Sequence, residues 1–93
     1  MTIGLLQLEL SIPESRSLKS KRRVIKSIKD RTRSKFNVSI AEVDDHDVWD
    51  RAVLAVCCVS TDCRFCNETL SKVVNLVESN HGSELCDYHI EMI

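Results

Sequence analysis

The segment RAVLAVCCVS (51–60) carries a charge on its first residue and none on the nine that follow. Ala52, Leu54, Val56 and Cys58 form one alternate set; Val53, Ala55, Cys57 and Val59 form the other. Both sets are apolar. The run is short and rich in Val, so it reads as a β-strand covered on both faces rather than as an amphipathic helix. Something must therefore pack on each side of it. A chain of 93 residues makes one domain, 1–93, with room for a single core.

The other segments show how much cover that domain can supply. TIGLLQLELSI (2–12) alternates, with Leu6, Leu8, Leu10 and Ile12 opposite Gln7, Glu9 and Ser11, which predicts a half-buried strand ended by Pro13. Ser17 is a candidate N-cap. Leu18, Ile25, Ile28, Thr32 and Phe36 then mark one stripe of a helix of about five turns, and Asn37 is placed to close it in the left-handed region. NVSIAEV (37–43) predicts a second strand, and DDHDVWD (44–50) a polar loop. Asp62 can cap a second helix with Cys66, Leu70, Val73, Val74 and Val77 inward, and NHG (80–82) stops it. ELCDYHIEMI (84–93) alternates again, with Cys86, Tyr88, Ile90 and Met92 opposite Asp87, His89 and Glu91.

The order is β-α-β-β-α-β. On this length it predicts an α+β ferredoxin-like sandwich, a four-stranded antiparallel sheet with two helices on one face. The other face is left open, yet Val53, Ala55, Cys57 and Val59 lie there, joined by Ile3 and Leu5. An apolar open face seldom stays in water, so a homodimer through that face is expected.

Several classes are excluded early. The chain is 43% hydrophobic and 29% charged, a globular balance. No run approaches the ~18 apolar residues of a membrane span. The first fifteen residues have no basic leader and carry Gln7 and Glu9 within their apolar run, so they read as a strand and not as a signal peptide. Five cysteines without a secretory signal suggest reduced thiols in a cytoplasm.

Charge is distributed unevenly. Residues 16–35 sum to +9 while 1–15 sum to −2 and 36–93 to −8, for a net charge of −1. With the apolar stripe inward, the far face of the first helix presents Arg16, Lys19, Arg23, Lys26 and Arg33, broken only by Asp30. Arg22 and Lys29 flank the stripe, and Lys21, Arg31 and Lys35 lie on its other side. Solvated helix faces usually mix signs and gain i,i+4 pairs; this one hardly does. Lys19, Lys21 and Arg22 also lie in or near the first turn, where the helix dipole disfavours cations by ~0.3–1 kcal/mol each. Phosphate is the natural partner for such a face, and Arg16, Lys19, Arg22, Arg23, Lys26 and Arg33 are the expected nucleic-acid-binding residues. The helix has no surface aromatics, so contacts to backbone and shape are expected. Stacking of bases on the sheet, as in RNA-recognition domains of this fold, is not expected, because strands one and three carry no Phe, Tyr or Trp.

Three further features have weaker readings. Asp44, Asp45, His46, Asp47 and Asp50 are suitable ligands for a hard metal, but their spacing matches no known cage. Turn bonds from the Asp side chains, an edge packing role for Trp49 and a counter-charge to the basic helix, even a phosphate mimic, are the structural expectations for that loop. CRFC (63–66) has C-x-x-C spacing at a helix start, but no second pair, so neither zinc nor redox chemistry is expected. His46, His81 and His89 stand apart, no nucleophile motif is visible, and two glycines leave no phosphate-cradling loop. No catalytic residue, metal or cofactor is assigned.

GLLQLEL, SLKSKRRVIKSI, FNVSIAEVDDHDVWDRAVLAV and the closing DYHIEMI together resemble the YlxP-like family, a bacterial domain of unknown function. AEVDDHDVWDRA with the preceding SLKSKRR is the most specific part. The resemblance runs nearly end to end. It implies a ferredoxin-like fold, a cytoplasmic bacterial protein and a gene context near translation-initiation and ribosome-maturation factors. It supplies no catalytic residues. Two departures stand out: Ser20 replaces a common Glu, removing the usual capping-box partner of Ser17, and the cysteines at 57, 58, 63 and 66 look particular to this chain. The expected function is a non-enzymatic RNA- or ribosome-associated accessory protein. The alternatives are a homodimeric protein-interaction module and a small metal-dependent hydrolase using the acidic loop.

Overall fold

The computed structural model describes residues 1–93. Its elements run β1 (Thr2–Ser11), α1 (Leu18–Lys35), β2 (Ser39–Asp44), β3 (Arg51–Ser60), α2 (Cys63–Glu78) and β4 (Glu84–Met92). The strands form one antiparallel sheet in the order β2-β3-β1-β4. Both helices lie on one face of it, α2 over β1, β3 and β4, and α1 over β2. This is the expected α+β ferredoxin-like arrangement, with the doubly apolar β3 in the interior of the sheet.

The core lies between the sheet and the helices. Leu6, Leu8, Leu10, Leu54, Val56, Leu70, Val73 and Val77 are buried there with Ile25 and Ile28 of α1. Gly4 lets α2 sit close to β1, since a Cβ at that position would stand 2.9 Å from Leu70 Cδ1 and 3.3 Å from Cys66 Cβ. Cys58 and Cys66 are buried, and the Cys66 thiol reaches the Cys58 carbonyl at 3.6 Å. Burial, and then the Cys66 thiol beside it, pushes the Cys58 thiol above its ordinary pKa.

The helix ends follow their capping residues. Ser17 Oγ accepts from the Ser20 amide at 3.1 Å, and Asp62 Oδ1 from the Arg64 amide at 2.9 Å. α1 stops differently from the expectation at Asn37. Its C-cap is Phe36 in extended geometry, with its amide on the Thr32 carbonyl at 2.9 Å, and Asn37 does not take a positive φ. Phe36 and Val38 pack against the core on either side of Asn37, and this anchors the chain as extended backbone into β2. α2 ends at Glu78, and the turn beyond it is organised by buried Asn80. Its Oδ1 accepts from Arg31 Nη1 at 2.7 Å and its Nδ2 donates to the His81 carbonyl at 2.9 Å. Gly82 completes that turn at φ +91°, where an L side chain is strained.

One strand departs from its expected alternation. β4 carries a bulge opposite Glu9 and Leu10: Asp87 pairs with Glu9 while Leu85 pairs with Leu10. Cys86 is the extra residue and is exposed, and Leu85 takes the inward position that the alternation gave to Cys86.

The register also fixes what lies on the open face. Ile3 and Leu5 stand beside Val59 and Cys57, and Gln7 and Glu9 beside Ala55 and Val53. Across β1 on the other side, Leu5, Gln7 and Glu9 face Glu91, His89 and Asp87. The open face is therefore apolar around β3 and acidic along β4.

Candidate functional site

α1 is an amphipathic helix whose inner face is not wholly apolar. Lys21, Ile25, Ile28 and Thr32 recur at i, i+4, i+7 and i+11, and all four are buried. Lys21 is 1% exposed. Its Nζ donates to the Asp45 carbonyl at 2.6 Å and stands 2.8 Å from Glu42 Oε2. The Glu42 contact is an ion pair whose angle makes no hydrogen bond, and the oxygen has no other partner. The sequence reading placed Lys21 outside the apolar stripe, with Arg31 and Lys35. The structure puts it within the stripe, as the first of its four buried positions.

That contact also positions the acidic loop. Asp45 has φ +60°, a left-handed geometry that Asp tolerates, and its carbonyl accepts from both Lys21 Nζ and the Val48 amide. Asp44 Oδ1 accepts from the Asp45 amide at 2.8 Å. The loop is thus held to α1 through a main-chain carbonyl. No carboxylate of residues 44–50 forms an ion pair with a helix cation. Trp49 is half-exposed. No three His, Cys, Asp or Glu side chains, in this loop or elsewhere, come together as ligands.

The remaining cations stand outside. Arg22, Lys26, Lys29 and Arg33 follow one another at i, i+4, i+7 and i+11, and with Glu42 and Asp30 they line a cleft of about 340 Å³ between α1 and β2. Lys26 Nζ bonds Asp30 Oδ2 at 2.7 Å. This bond, followed by the fields of Lys26, Arg33 and Lys29, holds the Asp30 carboxyl below the usual range. Arg33 Nη2 donates to the Ile40 carbonyl at 3.0 Å, which leaves most of its donor fork free. Arg16, Lys19, Arg22 and Arg23 are exposed and make no hydrogen bond or ion pair within the chain. Of the six expected phosphate-binding residues, the structure gathers Arg22, Lys26 and Arg33 in the cleft. Lys19 and Arg23 lie further round the helix, whereas Arg16, expected on its far face, precedes the N-cap Ser17 and lies outside it. Lys29, absent from that set, belongs to the cleft; its position four residues before Arg33 and seven after Arg22 is the signal for it.

The fold and this surface define a small ferredoxin-like domain with one cation-lined helix and no cluster of metal-ligating side chains. Residues 3–90 match the model of the family described as "Protein of unknown function (DUF503)", and the chain belongs to that family. It is 36% identical over 77 residues to the uncharacterized protein YlxP of Bacillus subtilis (strain 168), an alignment covering 83% of this chain and 84% of that one. Among solved structures it is similar to the de novo designed protein Foldit4, with a TM-score of 0.57 and 10% identity over 100% of this chain and 97% of the other. It is also similar to a C-terminal segment of the alpha subunit of aIF2 from Pyrococcus abyssi, with a TM-score of 0.55 and 14% identity over 97% of this chain and 48% of that one. At these identities the two likenesses concern the fold.

Proposed function

We propose that the protein is a non-enzymatic accessory factor that holds the phosphate backbone of RNA along the cation-lined side of α1. The observation that carries this reading is the division of labour within one helix. Lys21 is spent inside, on Glu42 and Asp45. Arg22, Lys26, Lys29 and Arg33 converge on one cleft, where Glu42 and Asp30 are the acids. An 18-residue helix is about 27 Å long, enough to follow several phosphates. Bidentate guanidinium groups and point-charge ammonium groups suit phosphate oxygens. RNA is preferred to DNA because the family resemblance implies a place beside translation factors.

Dimerisation belongs to the same proposal. The outward Ile3, Leu5, Ala55, Cys57 and Val59 form a continuous apolar strip on a face that no element covers. A second copy would cover it and place two cationic helices on the outside of one particle. This strip equally supports a homodimeric module whose helices meet an acidic protein, and the test below separates the two.

Four neutralised phosphates on a duplex would cost about a hundredfold in affinity between 50 and 200 mM salt, from a slope near −0.9 per contact. Arg22→Gln with Lys26→Gln should weaken binding to unrelated RNAs alike and lower that slope by about 1.8. Lys35→Gln with Lys72→Gln, outside the cleft, should leave both unchanged. Fluorescence anisotropy with a labelled RNA duplex reads both quantities. A folded cleft variant that binds as tightly as the parent would refute the reading. Retention of an acidic protein from nuclease-treated lysate, lost in that variant, would favour the module.

A further inference from the structure

The two outer edges of the sheet are finished differently. At β2 the outward carbonyls are occupied: Ile40 O accepts from Arg33 Nη2 at 3.0 Å, and Glu42 O lies 3.1 Å from His46 Nε2. At β4 they are not. Ile3 and Ile93 exchange both backbone bonds, at 3.4 and 2.8 Å. In an antiparallel ladder such reciprocal pairs alternate with pairs that exchange none. Leu5 with Glu91 and Gln7 with His89 are then the bonded pairs, and Tyr88, Ile90 and Met92 turn their amides and carbonyls away from β1. Asp87 Oδ1 takes the Tyr88 amide at 2.8 Å. No side chain bonds the main chain of Ile90 or Met92, so their donors and acceptors form an unpaired row.

The side chains along β4 and on the turn that leads into it are anionic. From Val73 to Ile93 there is no Lys or Arg, while Glu78, Glu84, Asp87 and Glu91 all fall in that span. Beside the edge on the helix side runs a groove of about 480 Å³, whose lining includes Glu78, Glu84, Asp87 and the half-exposed ring of Tyr88. On the open-face side of the same edge a hollow of about 200 Å³ is lined by Gln7, Glu9, Asp87, Tyr88 and His89. Successive side chains of an extended strand point to opposite faces. A strand that pairs with Ile90 and Met92 and runs on past Tyr88 toward Glu84 therefore directs its residues by turns to the side of the groove and to the side of the hollow, and both hold carboxylates.

We infer that the β4 edge takes up an extended, Lys/Arg-rich peptide segment by strand addition. The main chain of Ile90 and Met92 supplies the ladder bonds. Carboxylates on both faces select ammonium or guanidinium groups, and Tyr88 offers a ring face to one of them. A second copy is a poor occupant, because antiparallel pairing of two β4 edges brings Asp87 and Glu91 of both copies onto one small surface, and like charges across a ladder repel. β4 and β2 are the two outer strands, so this partner and the α1 cleft do not share a surface. The inference therefore stands apart from the RNA reading.

The test uses the full chain and a fluorescein-labelled nonapeptide alternating Lys with Val. Two companions are needed: the same peptide N-methylated along its backbone, which keeps the charge and removes the donors, and a Glu-for-Lys peptide. Both companions should bind at least tenfold more weakly. Glu84→Gln, Asp87→Asn and Glu91→Gln combined should weaken the parent peptide tenfold or more. Saturation should slow hydrogen exchange at the Ile90 and Met92 amides by at least tenfold. Equal binding of the N-methylated peptide, unchanged exchange at those amides, or no binding at millimolar peptide would overturn the inference.

Discussion

The burial of Lys21 makes a prediction that separates stability from function. Lys21→Met keeps the length and apolar stem of the side chain and removes its charge. It leaves Glu42 Oε2 buried without a partner and takes one of two donors from the Asp45 carbonyl. Removing one member of a buried ion pair costs about 3–5 kcal/mol. The Glu42 side chain is 17% exposed and can turn toward water, so about 2–3 kcal/mol is expected here. A chain of this size has only about 5–14 kcal/mol to lose. Lys21→Met with Glu42→Leu removes both charges and should return to within about 1 kcal/mol of the parent, because a packed apolar pair often equals a buried ion pair. Urea unfolding reads the differences as shifts in midpoint at constant slope, and the double-mutant cycle isolates the coupling. A single Lys21→Met variant within about 0.5 kcal/mol of the parent would refute the reasoning, since that is the ordinary scatter of a surface substitution. So would a double variant as unstable as the single. Under folding conditions Lys21→Met should bind RNA as the parent does, because Lys21 contributes nothing to the outer surface.

Thr32 Oγ1 is buried without a partner, so Thr32→Val should stabilise the fold by about 1 kcal/mol, raising the melting temperature by roughly 4–8 °C. Ala55→Glu, on the apolar strip of the open face, should abolish dimerisation in sedimentation runs without lowering the monomer's unfolding midpoint by more than about 1 kcal/mol; an unchanged mass would sink the dimer. Thiol titration of the native chain should find Cys63, Cys86 and half-buried Cys57 reactive and Cys58 and Cys66 protected until unfolding. The Cys58 thiol has a raised pKa in the fold. The folded chain therefore keeps a proton that the unfolded chain releases, and stability should be full below the unfolded thiol value of about 8.5 and fall as pH rises past it. A Cys58→Ala variant should lack that alkaline loss.

The fold was legible because its signals were periodic and local. Alternation located β1 and β4, the doubly apolar run located β3, and Ser17 and Asp62 each cap the helix they precede. Lys21 was misplaced because a charge outweighed a period: its spacing from Ile25, Ile28 and Thr32 marks it as inward. A partner for it was not readable, since Glu42 is twenty-one positions away and meets it only across the α1–β2 packing. Cys86 and Leu85 exchanged roles through a bulge, which adds a residue without altering the pattern that precedes or follows it. The cleft was half legible. The helix period gives its cations, but the strand beside it and the use of Arg33 to cap the Ile40 carbonyl depend on how the sheet closes.

The separation of charge between α1 and β4 changes what a net charge of −1 means for this molecule. From β2 to β4 are three inter-strand spacings, about 14 Å. The ionic atmosphere at physiological strength decays over about 8 Å. Each border of the domain therefore carries its own counter-ion cloud, and the two do not cancel. In dilute buffer the clouds thin and reach further, and the cationic border of one molecule attracts the anionic border of the next. Added salt should disperse such chains, so solubility should rise with ionic strength, the salting-in behaviour of a particle that is close to neutral only on average.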